Sequence, residues 1–319
     1  MTVIFWILAS IGIATTALPL FKSTRWWVRM WDFPRIHIAV LSFVTAALGT
    51  FLQGPWVLAA SMGLFLCFCY QAIRVFPFTR FASTEISMSD VPADTQISLI
   101  SVNVLKENED YARLRALIDR EDPDVLFLME TDPVWEAALE EQLVRYPTVV
   151  RHPKSDHYGI LFATRLKTHS ASTEFLSDDD TPTLLADLEA PANFGRFFFV
   201  GLHPRPPLPG TDADERDAQI KTSAQIADHA TQPVVVMGDF NDVAWSTTSE
   251  RFKEYGGFRD PRIGRGMLPS FDARSWFVRL PIDQLLITEG IELVSFDRLE
   301  AVGSDHFPMK AVISVEPKL

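Results

Sequence analysis

Three apolar stretches fall within residues 1–80, at Val3 to Phe21, Ile36 to Leu52 and Trp56 to Phe76. A helix needs roughly 20 apolar residues to cross the hydrocarbon core of a bilayer, so each stretch is near spanning length. The expected reading is three transmembrane helices over residues 3–21, 36–52 and 56–76, forming an anchor that ends near residue 80. A cleaved signal peptide is the alternative for the first stretch. It is disfavoured because no basic region precedes the apolar core and no clear small-x-small cleavage site follows it. Gln53-Gly54-Pro55 suits a tight turn between antiparallel helices, and Trp26, Trp27, Trp31 and Trp56 suit an interfacial aromatic belt. Lys22, Arg25, Arg29 and Arg35 lie between the first two stretches. The positive-inside rule puts that loop in the cytoplasm, and two crossings later, near Arg74 and Arg80, the chain is back on that side.

The formal net charge is −12, yet the first eighty residues carry an excess of Lys and Arg. The remainder is therefore strongly acidic and repels a polyphosphate backbone at long range, which argues against tight sequence-independent binding of duplex nucleic acid. Both cysteines, Cys67 and Cys69, sit in the third apolar stretch. The acidic part thus has neither a disulfide framework nor a thiolate metal site.

Composition turns polar over residues 81–95, as expected of a linker, and a domain over 96–319 follows. Short runs rich in β-branched and large apolar residues predict strands at Ile97 to Val104, Val125 to Met129, Gly159 to Thr164, Phe197 to Leu202, Val234 to Met237 and Ile282 to Thr288. Helices are predicted at Asp110 to Arg120, at Pro133 to Val144 behind Thr131-Asp132, and at Asp212 to His229. Strands alternating with helices predict a layered α/β domain.

Several strands stop abruptly at a residue able to bind metal or phosphate: Asn103, Glu130, His203, then Asp239 and Asn241. Glu130 directly follows an apolar run and precedes a helix start that Thr131 or Asp132 could cap, so it is available as a hard-oxygen ligand for Mg²⁺ or Mn²⁺. In Val234 to Asp242, Gly238 permits a tight turn, and Asp239 and Asn241, two apart in extended chain, project to the same side. With Pro281-Ile282-Asp283 and Gly303-Ser304-Asp305-His306, and with Asn, Glu and His in order before them, this pattern resembles the endonuclease/exonuclease/phosphatase superfamily. The similarity runs from about Gln96 onward and is nearest to the bacterial branch with apolar N-terminal helices.

That resemblance implies a layered α/β sandwich, preceded by about three transmembrane helices, in a metal-dependent hydrolase of phosphate esters. It assigns Asn103 and Glu130 to a Mg²⁺ or Mn²⁺ site, with Asp305 completing it or supporting a second ion. It further implies that Asp239 orients or deprotonates the attacking water, that Asn241 holds water or phosphorus, and that His203 lies near the leaving group. His306 donates to a phosphoryl oxygen, oriented by Asp283. Gln284 departs from the His or Tyr of many relatives. His152, His157, His169 and His229 lack comparable partners and read as surface residues, while Arg205 is either a phosphate-reaching cation or an exposed loop residue. The implied location is a bacterial inner membrane, with bilayer and phosphate-ester substrate as partners and no obligate protein partner. An acidic domain favours a phospholipid headgroup or small ester over nucleic acid. The competing readings are an inactive membrane-tethered binding module and a purely structural membrane protein; the retained acidic and histidine residues count against both.

Overall fold

The computed structural model describes residues 1–21, 23–177 and 180–316; Lys22 of the basic loop and the end of the expected 96–319 domain lie outside them. The chain divides into two compact units. One comprises Met1–Ser83, Pro206–Asp214 and Ile263–Gly266, the other Thr84–Arg205, Glu215–Arg262 and Met267–Leu319.

The first unit holds helices α1 (Thr2–Ala17), α2 (Trp26–Arg29), α3 (Arg35–Gly49) and α4 (Val57–Val75). Small residues let the long helices approach: a Cβ on Gly12 would lie 3.0 Å from Leu64 and 3.1 Å from Ser42, and one on Gly49 would meet Ser61 and Phe5. At the other end of α3, Arg35 pairs with Asp32 and donates to Gln71 at 2.8 Å, and Gln71 donates to Thr16 at 3.1 Å. Buried charge is tolerated there because Arg35 and Asp32 neutralise each other. Outward, Ile4, Ile7, Ile11, Phe43, Val44, Leu58, Met62 and Phe65 are exposed. Thr2–Leu20 and Val57–Phe78 are long and apolar enough to cross a membrane. The expectation of three such helices is corrected to two among the described residues. Helix α3 has 15 residues, about 22 Å at 1.5 Å per residue, because Pro34 fixes its start and the chain turns after Gly49.

The second unit contains β1 (Ile97–Asn103), α5 (Tyr111–Glu121), β2 (Val125–Met129), α6 (Pro133–Leu143), β3 (Thr148–His152), β4 (Ile160–Thr164), β5 (Thr168–Phe175), β6 (Pro182–Glu189) and β7 (Arg196–Leu202). It continues with α7 (Asp214–His229), β8 (Val234–Asp239), α8 (Thr247–Gly256), β9 (Asp283–Ile287), β10 (Ile291–Arg298) and β11 (Met309–Val315). The strands form a six-stranded sheet, order β10-β11-β1-β2-β4-β3, and a five-stranded sheet, order β5-β6-β7-β8-β9. Alternation along each strand explains the layering. Leu99, Val125, Phe127 and Met129 meet Phe197, Phe199, Val235 and Met237 between the sheets. Ile100, Val102, Leu126 and Leu128 cover α5 and α6 on one outer face, and Val234 and Val236 cover α7 and α8 on the other. Central strands buried on both faces therefore read as unbroken apolar runs. Truncating a ring such as Phe127 to Ala costs about 3–5 kcal/mol. The domain is an α/β sandwich in which the predicted elements start and end within two residues of the observed ones.

Candidate active site

Strands β1 and β2 are parallel, with Asn103 beside Met129, and β7 and β8 are parallel, with Leu202 beside Gly238. Their C-terminal ends thus deliver Asn103, Glu130, His203 and Asp239 to one place. Asn103 Nδ2 donates to Glu130 Oε1 at 2.9 Å and to Asp239 Oδ2 at 3.2 Å, tying the two sheets' carboxylates together. Glu130 leaves β2 at φ 63°, Leu105 follows β1 at φ 56° and Asn241 follows β8 at φ 47°. Left-handed backbone at non-glycine residues costs about 1–3 kcal/mol each and concentrates at functional sites. Glu130 is not consumed as a helix cap: Asp132 accepts from Val134 N at 2.9 Å and Trp135 N at 2.8 Å. Gly238, at φ 146°, is required because a Cβ there would lie 2.1 Å from the Leu202 carbonyl oxygen. The two parallel strands could not otherwise close behind the site.

His306 Nδ1 lies 2.7 Å from Asp283 Oδ2, and its Nε2 faces Asp239 Oδ2 at 3.5 Å. Burial lowers the affinity of His306 for a proton, but the carboxylates of Asp283 and Asp239 outweigh it, and the pKa is pushed up to about 10. Asp239, fully enclosed, is raised by burial despite His306 and His203. Glu130 is also raised by burial, yet His203, His157 and Asn103 together hold it below the ordinary carboxylate value. His203 Nε2 sits 4.0 Å from Glu130 and 3.9 Å from Asp239. Asn241 N donates to Asp239 Oδ1 at 2.8 Å, while its side-chain amide donates to Pro204 O at 2.9 Å.

Asp305 adjoins this cluster differently. Its carboxylate meets Arg274 at 3.1 Å, and its neighbour Ser304 donates to Asn103 O at 2.7 Å. Burial raises the Asp305 carboxyl in spite of His306 and Arg274. His157 lies at the surface as expected, but the reading that it has no partner is corrected: its Nδ1 lies 2.8 Å from Glu130 Oε2 and its Nε2 3.3 Å from Glu107 Oε1. The reason is topological, since β4 runs antiparallel to β2 with Ile160 opposite Met129, so residues just before β4 land beside Glu130. His169 also has a partner, Glu189 at 2.9 Å, but on the surface. Arg205 stacks over Tyr158 at 4.3 Å and pairs with Asp180 at 2.5 Å. Gln284 faces away from the site, bonded to Asp242, Ser249 and Arg262.

The model of the Endonuclease/Exonuclease/phosphatase family matches residues 100–306. The chain belongs to that family. Among solved structures it is similar to TDP2 of D. rerio complexed with single-strand DNA product, at 18% identity and TM-score 0.58, covering 70% of this chain and 100% of that one. It is likewise similar to the endonuclease/exonuclease/phosphatase from Bacteroides vulgatus, at 16% identity and TM-score 0.57, with the same coverage. A functionally unknown conserved protein from Enterococcus faecalis V583 is similar at 17% identity and TM-score 0.55, covering 69% and 100%. No curated protein matches.

Enzymes of the family generally use divalent metals, and the residues here fit such an ion. Among the described residues, the cationic groups within ion-pair distance of Glu130 and Asp239 are imidazoles, with no Lys or Arg to neutralise them. Asp283 Oδ1 and His203 Nδ1 are buried without a hydrogen-bond partner. By spacing, Glu107, Glu130 and His157 form one group able to hold a metal, and Asp239, Asp283 and His306 another. The second is already closed by the short bond between His306 and Asp283. Oxygen-rich donors suit Mg²⁺ or Mn²⁺ better than softer metals.

Proposed function

We propose that this chain is a membrane-anchored, divalent-metal-dependent phosphoesterase, acting on a phospholipid headgroup or small phosphate ester. The observation that carries the reading is the convergence of Glu130, Asn103 and Asp239 with the His306–Asp283 pair at the ends of four strands. A hydrolase needs both halves: anionic ligands on one side and a protonated donor on the other.

Glu130 and Asn103 would hold the metal, with Asp305 supporting it; when bound, the ion would supply Lewis-acid polarisation of a non-bridging phosphate oxygen. Asp239 orients the attacking water and accepts its proton, a task suited to a carboxylate whose proton affinity burial has raised. Asn241 has an amide oxygen to hold the same water while its nitrogen is anchored on Pro204. His306, cationic at neutral pH, donates from Nε2 to the phosphoryl oxygen on which charge builds, with Asp283 fixing its tautomer through Nδ1. His203 stands on the leaving-group side.

Membrane anchoring is supported by the apolar outer surface of the helical unit, where a soluble core helix would be covered. The two helices of spanning length, Thr2–Leu20 and Val57–Phe78, would hold this anchor in a bacterial inner membrane. The DNA-bound TDP2 neighbour supports phosphodiester chemistry in general. The acidic second unit favours lipid or small esters over a polyanion.

The test is hydrolysis of bis-p-nitrophenyl phosphate by the full chain with Mg²⁺, with Mn²⁺ and in excess EDTA. Turnover that needs the added cation is expected, and undiminished turnover in EDTA overturns the metal assignment.

A further inference from the structure

A hairpin next to the active site ends in an apolar tip. Phe271 and Leu280 pair across its base, and Asp272 N bonds Val278 O at 3.2 Å. At the turn, Trp276 is 88% and Phe277 60% exposed, their rings T-shaped at 5.7 Å, and Val278 is exposed beside them. The base is fastened to the catalytic segment. Phe271 packs on the His306 ring at 5.0 Å, Ala273 N donates to Asp305 O at 2.6 Å, and Arg274 pairs with Asp305. Three consecutive apolar residues held in water on a fastened hairpin are costly to hydrate, which marks an interaction surface.

Behind the tip lies uncompensated positive charge. Arg279 stands over the Phe307 ring at 4.8 Å and Arg298 over the same ring at 4.3 Å. Among the described residues, neither guanidinium has a carboxylate within ion-pair distance. Arg298 is held below its ordinary value by burial and by Arg279, so the charge that acts on it is another cation. Arg279 Nη1 is buried with no hydrogen-bond partner. Arg298 Nη1 donates to Pro269 O at 2.8 Å, a neutral acceptor, so both guanidinium charges stand without a counter-charge in an otherwise acidic unit.

We propose that this hairpin is an interfacial wedge that docks on an anionic phospholipid bilayer, with Trp276 and Phe277 entering the headgroup boundary and Arg279 and Arg298 meeting lipid phosphates. An apolar tip rimmed by arginine is the composition that lies in a membrane interface, where the indole and guanidinium keep polar contacts while apolar surface leaves water. A nucleic-acid platform is less well matched: the two rings are crossed and do not present one flat face, and the surrounding unit is acidic. The inference deepens the lipid reading of the proposed function by bringing the catalytic mouth to the substrate's own surface.

The test uses the full chain in nanodiscs of phosphatidylcholine, alone or mixed with phosphatidylglycerol, with brominated acyl chains as quencher. The Trp276 signal is the emission difference between the protein and Trp276→Phe, needed because the chain has 8 Trp. In anionic discs most of that difference should be lost to the brominated lipid and protected from aqueous acrylamide. Arg279→Gln with Arg298→Gln should abolish the preference for phosphatidylglycerol. Trp276→Ser with Phe277→Ser should leave turnover of soluble bis-p-nitrophenyl phosphate unchanged, so a chain without hydrolase activity fails a separate arm. A Trp276 signal that stays open to acrylamide in anionic discs overturns the wedge. So does one that responds to a single-stranded oligonucleotide and not to lipid, or one protected only when two copies associate.

Discussion

Asp283→Asn keeps the size of the side chain and removes the charge that holds His306 protonated. The two groups are 2.7 Å apart and nearly inaccessible to solvent. The rise of His306 from the ordinary 6.5 to about 10 corresponds to roughly 5 kcal/mol in favour of the imidazolium, at about 1.4 kcal/mol per pH unit. It is shared among Asp283, Asp239 and Asp305 and is already net of burial. The sign follows from linkage: a raised folded-state pKa stabilises fully below the unfolded value of 6.5 and is lost as pH rises through about 10. Wild-type stability should therefore fall between those limits, and Asp283→Asn should be less stable at neutral pH with a flatter dependence above it. Catalysis gives the sharper reading. Turnover of bis-p-nitrophenyl phosphate should drop by about two to three orders of magnitude, with its alkaline limb moved to lower pH, because a donor imidazole now loses its proton sooner. His306→Ala should lower kcat by about two to four orders of magnitude with little change in KM. The double variant should be little worse than His306→Ala, since the pair acts as one unit. An alkaline limb that does not move, or losses that multiply in full, would refute the reasoning.

Glu130→Ala should remove most turnover while melting near wild type, since Asp132 and not Glu130 caps α6; a variant that unfolds would make Glu130 structural. Gly238→Ala should destabilise by about 3 kcal/mol or more, read as a lower midpoint in thermal melting, because its Cβ would meet the Leu202 carbonyl oxygen at 2.1 Å. An unchanged midpoint would mean that β7 and β8 are not packed this closely. Fusing alkaline phosphatase after residue 319 should give little activity if α3 crosses the bilayer and returns the second unit to the side of the basic loop. A strongly active fusion would mean that α3 does not cross.

Part of the site was legible because chemistry and punctuation coincide in the chain. An apolar run that stops at Asn103, Glu130, His203 or Asp239 announces both a buried strand and what it delivers. The polar edge strand β5, with Ser170, Ser172 and Glu174 facing out, gave no such signal, nor did β10, whose alternation is broken by a register shift between Leu293 and Ser295. His157 escaped for a different reason: its partner, Glu130, is 27 residues away, and only the antiparallel return of β4 joins them. The same holds for the arginines around Phe307, which come from a hairpin and from β10.

Local order alone thus determined the apolar N-terminal segments, the strand and helix periods and the residue types at the strand ends, since these depend on neighbours in the chain. Tertiary structure decided which of those residues share a site, which carboxylates face an imidazole and which arginines go unneutralised. It also decided how far α3 reaches. Proton affinities and ion pairing depend on burial and on distances of a few ångströms, and those are set by how two sheets pack, not by the order of residues along either one.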